Sequence, residues 1–328
     1  MRTRTRRQVI VALGTSALAF PLAAFAQQSA KSYRIGFLAS ESASDPSQAK
    51  RLELLRSGLR DLGYVEGHNI VVEVRWAEGQ YDRLSALASE LIALKVSVIV
   101  ASGTKATMAA RNATGTIPIV MGSTGNPIGL GLTTSLARPS GNVTGWTFIG
   151  SELGTKLLEL LKEAVPHITH AAYLVNPADP PSSLPAMQTA ARSLKFALSV
   201  FEARAPTQFD SAFAEIVRAR CDAVIVNGDT LFGVNVRTIA QLALKHRLPS
   251  ASDLGEFAEA GGLITYGPDR LEGYRRAAVF VDKLLKGAKP GDLPIEQASK
   301  FELVINTTTA KSLGVTIPQA LQLRARLI

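Results

Sequence analysis

The sequence predicts an α/β protein shaped as a clam-shell, with two Rossmann-like lobes of mostly parallel sheet joined by a multi-strand hinge. Three observations carry that prediction. Short apolar runs rich in β-branched residues alternate with amphipathic helical stretches at a period of about thirty residues, the pattern of parallel strands with right-handed crossovers. The alternation ends near residue 148 and then begins again. After residue 266 the chain supplies one long helix, short strands and a short helix, too little for a third domain and enough to complete both lobes.

The first elements are a strand at 33–38, a helix at 47–62 with Leu52, Leu55, Leu59 and Leu62 on one face, and a strand at 70–76. A helix at 81–94 follows, then a strand at 96–101 running directly into a helix at 105–112. A strand at 117–121, a Gly-rich helix-like segment to residue 136 and a strand at 142–148 close the first series. The second has helices at 153–165, 183–194, 208–220 and 231–246 between strands at 171–175, 197–203, 223–226, 249–252 and 262–266. The tail reads as a helix at 271–285, strands at 294–296 and 301–305, and a helix at 307–313. These pieces assign residues 33–146 with 268–297 to lobe 1 and residues 149–266 with 300–328 to lobe 2. The chain then crosses the hinge near 146–149, 266–269 and 297–300.

Residues 1–26 read as an export signal. Arg2, Arg4, Arg6 and Arg7 precede an apolar stretch at 9–22, and Ala24-Phe25-Ala26 offers a small-x-small cleavage site after Ala26. Thr5-Arg6-Arg7-Gln8 resembles a twin-arginine signal. The mature chain is therefore expected in a periplasm. The formal charge is +9, and without the four leader arginines the balance is 32 basic to 27 acidic residues, with the signs interspersed. That is a solvated surface rather than a nucleic-acid footprint. The single cysteine, Cys221, excludes an internal disulfide and reads as a small core residue.

Enzyme signatures are missing: no phosphate-binding loop, no dinucleotide fingerprint, no nucleophile elbow. His167 and His170 have metal-like spacing but no carboxylate or cysteine nearby in sequence, so no metal and no cofactor are expected. What the sequence offers is a set of strand-to-helix elbows, where unpaired helix N–H groups accept carboxylates and small residues admit a ligand. Ser40, Ser102-Gly103-Thr104 and Ser123 make a neutral, hydroxyl-rich wall in lobe 1. Asn176, Asp229 and Asp253 make an acidic wall in lobe 2. Trp146, Phe148 and Tyr266, at hinge crossings, are candidates for the floor or side of the cleft. A zwitterion fits such a cleft, its carboxylate on lobe 1 and its ammonium on Asp229 or Asp253.

Arg34-Ile35-Gly36-Phe37-Leu38, Gly63-Tyr64-Val65-Glu66-Gly67-His68-Asn69, Arg75-Trp76-Ala77-Glu78-Gly79, Pro139-Ser140-Gly141-Asn142-Val143-Thr144-Gly145, Leu174-Val175-Asn176-Pro177, Ala260-Gly261-Gly262-Leu263-Ile264-Thr265-Tyr266-Gly267 and Lys300-Phe301-Glu302-Leu303-Val304-Ile305-Asn306 span nearly the whole mature chain. In these segments the chain resembles the periplasmic substrate-binding components of ABC transporters related to the tryptophan-uptake binding protein. The resemblance implies a type I periplasmic-binding fold and capture of a small polar solute, an amino acid or related carboxylate. It also implies delivery to a membrane permease and ATPase by a protein that is not an enzyme, and it puts the contacts on Ser102 to Thr104, Ser123, Asn176, Asp229 and Asp253. A monomer is expected. A ligand sensor feeding a signalling receptor is the alternative, and a hydrolase using Ser102 or Ser123 with Asp229 a more distant one.

Overall fold

Parallel strands buried on both faces need apolar residues at every position, and β3 (Val98–Ser102) is buried throughout. In the computed structural model the described residues are 32–328 except Asp45, Ile149, Pro180 and Ser182, so the leader and its cleavage site lie outside them. The first series runs β1 (Tyr33–Ala39), α1 (Pro46–Asp61), β2 (Ile70–Trp76), α2 (Leu84–Ala93), β3, α3 (Thr104–Ala113), β4 (Ile119–Gly125) and β5 (Val143–Phe148). The second runs α4 (Gly150–Ala164), β6 (His170–Val175), α5 (Leu184–Ser193), β7 (Ala197–Glu202), α6 (Phe209–Arg218), β8 (Ala223–Val226), α7 (Thr230–Val234), α8 (Val236–Lys245), β9 (Ser250–Ser252) and β10 (Ile264–Pro268). The tail adds α9 (Arg270–Leu285), β11 (Glu296–Gln297), β12 (Phe301–Ile305), α10 (Thr307–Leu313), α11 (Gln319–Gln322) and β13 (Arg326–Leu327).

Two sheets result. The six-stranded one has the order β11-β5-β4-β3-β1-β2 and the seven-stranded one β13-β12-β10-β9-β8-β6-β7. All pairs are parallel except β10 with β12. Because side chains alternate across a strand, Val98 and Val100 of β3 enter one core while Ile99 and Ala101 enter another. The second sheet divides likewise, with Tyr173 of β6 on one face and Ala172 and Leu174 on the other. Each sheet with the helices on its two faces is a lobe. The chain passes between sheets three times, after Phe148, after Pro268 and after Gln297. In both sheets the strand order reverses at the first strand of the series, β1 and β6, and such switch points open crevices at the carboxyl ends.

Helix α9 packs against α1 and β4. Its approach to β4 depends on Gly273, where a Cβ would collide with the carbonyl of Gly122. The close fit seats Tyr274 fully buried on the sheet.

Three expectations are corrected. Residues 127–136 form turns rather than a helix, because Pro127 begins the segment, Asn126 Oδ1 accepts from the Gly129 N–H at 3.0 Å, and Gly131 takes φ +67°. The helix expected at 231–246 breaks at Asn235, whose side chain donates to the Leu231 carbonyl at 2.8 Å. The segment 81–94 opens with a 3₁₀ turn, Tyr81–Arg83, before α2 begins. No periodicity announces the short elements α11 and β13, of which β13 pairs with β12 at the edge of the second sheet.

Candidate functional site

The carboxyl ends of β1 and β3 lie level, Ala39 opposite Ser102, so their elbows emerge side by side. Gly103 turns β3 into α3 with φ +91°, a conformation glycine adopts without strain. Among the described residues no side chain caps α3, and its N-cap Gly103 and first residue Thr104 stand at the crevice. Gly103, Thr104 and Ser123 line a cavity of about 420 Å³, and Asp229 and Thr230 line it from the second lobe. An annex of about 110 Å³ adjoins it, sharing Thr104, Phe148, Asp179 and Gly228. Leu130, Leu157, Met187 and Ile225 give the annex an apolar wall, and Tyr173 and Asn227 a polar end. Tyr173 donates to Asn227 Oδ1 at 2.9 Å.

The carboxylates of this region differ in their partners. Asp253, at the end of β9, accepts from Arg270 Nη2 at 2.6 Å, and the Arg270 guanidinium also lies 4.4 Å above the Phe148 ring. Asp179 pairs with Lys105 at 3.2 Å. Glu41 pairs with Arg51 at 3.3 Å. Asp229 is 3% exposed and has neutral partners only: Asn176 Nδ2 at 3.1 Å and the Leu231 N–H at 2.8 Å on Oδ1, and the Tyr81 hydroxyl at 3.1 Å on Oδ2. Among the described residues no Lys, Arg or His forms an ion pair with it. Burial raises the Asp229 carboxyl above the ordinary 3.8, the Asn176 amide opposes that, and the charge of Asp179 adds to it. Burial also raises Asp179, with Lys105 pulling the other way.

Four of these contacts join the lobes: Tyr81 to Asp229, Thr230 to Glu41 at 3.4 Å, Lys105 to Asp179 and Arg270 to Asp253. The two walls are therefore closed on each other.

The structure gathers Gly103, Thr104, Ser123 and Asp229 around the cavity and places Asp253 on the annex. Asn176 reaches the site through Asp229 and lines a third cavity at the mouth of the cleft. The other candidates stand outside these linings. Ser102 is buried and shares a 2.7 Å hydrogen bond with Tyr274. Ser40 is buried at the strand end, where its carbonyl accepts from the Gly79 N–H at 2.9 Å. Trp146 is 2% exposed, packed below the cavity beside Phe148 and against the position of Gly273. Tyr266 stacks on Phe301 at 5.9 Å and lines a separate surface hollow. The hinge aromatic at the cavity is Phe148. Nor is the first wall neutral, since Glu41, Arg51 and Arg270 line the main cavity and Lys105 reaches across to Asp179.

Tyr81 and Tyr274 meet their partners across 148 and 172 residues of chain, so no local pattern points to either, whereas Arg270 is only 17 residues from Asp253. The one local signal was Asp269-Arg270 at the start of α9, where Asp269 caps the helix and leaves Arg270 at a hinge crossing.

A family model described as ABC transporter substrate binding protein matches residues 40–327. The "Tyrosine-binding protein" of Clostridioides difficile strain R20291 is 27% identical over 274 residues, covering 82% of this chain and 78% of that protein. The crystal structure of an ABC domain from Streptococcus pneumonia in complex with L-Trp is similar at a TM-score of 0.83 and 24% identity, covering 90% of this chain and 99% of that one. A conserved domain protein from Vibrio cholerae O1 biovar El Tor strain N16961 gives a TM-score of 0.83 at 25% identity with the same coverage.

Proposed function

The chain belongs to the family of ABC transporter substrate binding proteins and has the type I periplasmic-binding fold, and from that premise we propose that it captures an α-amino acid with an apolar or aromatic side chain. The observation that carries the proposal is Asp229. A buried carboxylate without a cation is costly, and a ligand ammonium removes that cost on binding. The ligand carboxylate goes to the uncapped N-terminus of α3, where Thr104 and Ser123 add hydroxyls. The side chain goes to the annex, whose Leu130, Leu157, Met187 and Phe148 favour apolar atoms. The tyrosine-binding relative and the structure solved with L-Trp support an aromatic amino acid.

In this reading no bond is made or broken. The protein works outside the cytoplasm, where the Arg-rich leader sends it, and hands its ligand to the permease and ATPase of an importer. Among the described residues no helix is long and apolar enough to cross a membrane. A melting screen tests the reading. An L-amino acid with an apolar or aromatic side chain, at many times its dissociation constant, is expected to stabilise the protein by about 2 to 4 kcal/mol. The matching carboxylic acid that lacks the amino group is expected to stabilise it much less. Equal stabilisation by both contradicts the ammonium site.

A further inference from the structure

We infer that Tyr81 is a positioning residue that couples ligand capture to lobe closure by donating its hydroxyl across the cleft to Asp229. The inference rests on the reading of Asp229 as the ammonium anchor and adds the device that reports its occupancy.

The two oxygens of Asp229 have different companions. Oδ1 accepts from Asn176 and from the Leu231 N–H, both in its own lobe, and these bonds need no partner lobe. Oδ2 accepts from Tyr81, which stands in the turn before α2 and packs against the core of lobe 1. That bond exists only when the lobes meet. Tyr81 lines the outer cavity at the cleft mouth and not the 420 Å³ cavity assigned to the ligand, so its contact is with the anchor rather than the cargo.

The other trans-cleft contacts do not touch this carboxylate. Lys105 with Asp179 and Arg270 with Asp253 are charge pairs complete within the chain, and the Thr230–Glu41 bond is long at 3.4 Å. Of the four, only the Tyr81 bond ends on the Asp229 carboxylate itself. An ionised carboxylate accepts roughly twice as strongly as a neutral one. A ligand ammonium on Asp229 fixes the carboxylate that the phenol grips from the other lobe, so the bound ligand and the cross-cleft bond support each other. Tyr81 keeps the proton it donates, because burial, and next the charge of Asp229, push its titration above the ordinary phenol value.

The test removes one oxygen. The probe is whichever standard L-amino acid stabilises the wild-type chain most in a melting screen, with L-tyrosine and L-tryptophan tried first. Tyr81→Phe is expected to speed dissociation of that probe roughly tenfold. The association rate and the melting temperature of the unliganded protein should stay as in wild type, a split that a merely structural role would not give. In an Asp229→Asn background the same change is expected to have little further effect on dissociation. A wild-type dissociation rate in Tyr81→Phe, or additive effects in the double variant, overturns the latch. Full affinity in Asp229→Asn overturns the ammonium anchor instead, and with no amino acid bound by wild type both fall.

Discussion

Asp229 and Asp253 follow neighbouring strands of one sheet, β8 and β9, and face the same crevice, yet they are settled in opposite ways. Asp253 is neutralised inside the chain by Arg270, whose guanidinium is itself laid over Phe148. Asp229 is held by an amide, a backbone N–H and a phenol, all without charge. The first arrangement is a finished ion pair beside the hinge crossing at residue 269. The second is a carboxylate oriented by hydrogen bonds and, among the described residues, without an ion-pair partner, which suits the proposed ammonium site. Sequence position alone makes the two residues look interchangeable. Their partners set them apart: Asp253 is paired with Arg270 beside the hinge, and Asp229 is the one proposed to meet the ligand.

Arg270→Met would break the finished pair. Both side chains are less than one-fifth exposed, so removing one partner strands a buried charge and should cost about 3 kcal/mol of stability in a denaturant titration. Adding Asp253→Asn should recover much of that. A loss below about 1 kcal/mol would mean that water already screens the pair, and the contrast with Asp229 would weaken.

Asp229→Asn sharpens the other side. It should cost about 2 kcal/mol of amino-acid binding by calorimetry, since one member of a charge-assisted contact is lost. It should cost little stability, because asparagine caps a short helix such as α7 about as well as aspartate.

The smallest effect is on pH dependence. The folded carboxyls of Asp229 and Asp179 are raised above 3.8, so the unliganded fold holds those protons more tightly than the unfolded chain does. Their contribution to stability is present below 3.8 and is lost as the pH rises through the raised values. A ligand ammonium favours ionised Asp229, so affinity should strengthen over the same rise in pH. Melting curves taken from pH 3.8 upward should show the stability trend flattened in Asp229→Asn, and calorimetry should show the affinity trend lost.

The fold class was legible because the physics behind it is local. Continuous apolar strands such as Val98 to Ala101 and leucine-faced helices such as α1 and α2 announce a sheet covered on both sides. The elbows were legible for the same reason, and Gly103, Thr104, Ser123 and Asp229 do meet at one cavity. The rest of the site depends on contacts between distant residues. Tyr81 and Asp229 are 148 residues apart, and Ser102 and Tyr274 are 172 apart. No periodicity links such pairs. Trp146 and Tyr266 show the limit from the other direction, since an aromatic near a hinge crossing can as readily fill the core or stack on the surface as face a ligand.

The most direct measurement is a two-by-two calorimetric cycle. Wild type and Asp229→Asn are each titrated with the bound L-amino acid and with the same molecule lacking its amino group. If Asp229 receives the ammonium, the substitution weakens the amino acid by roughly thirtyfold, about 2 kcal/mol, and leaves the deaminated acid nearly unchanged. Equal weakening of both ligands, or of neither, would contradict the account.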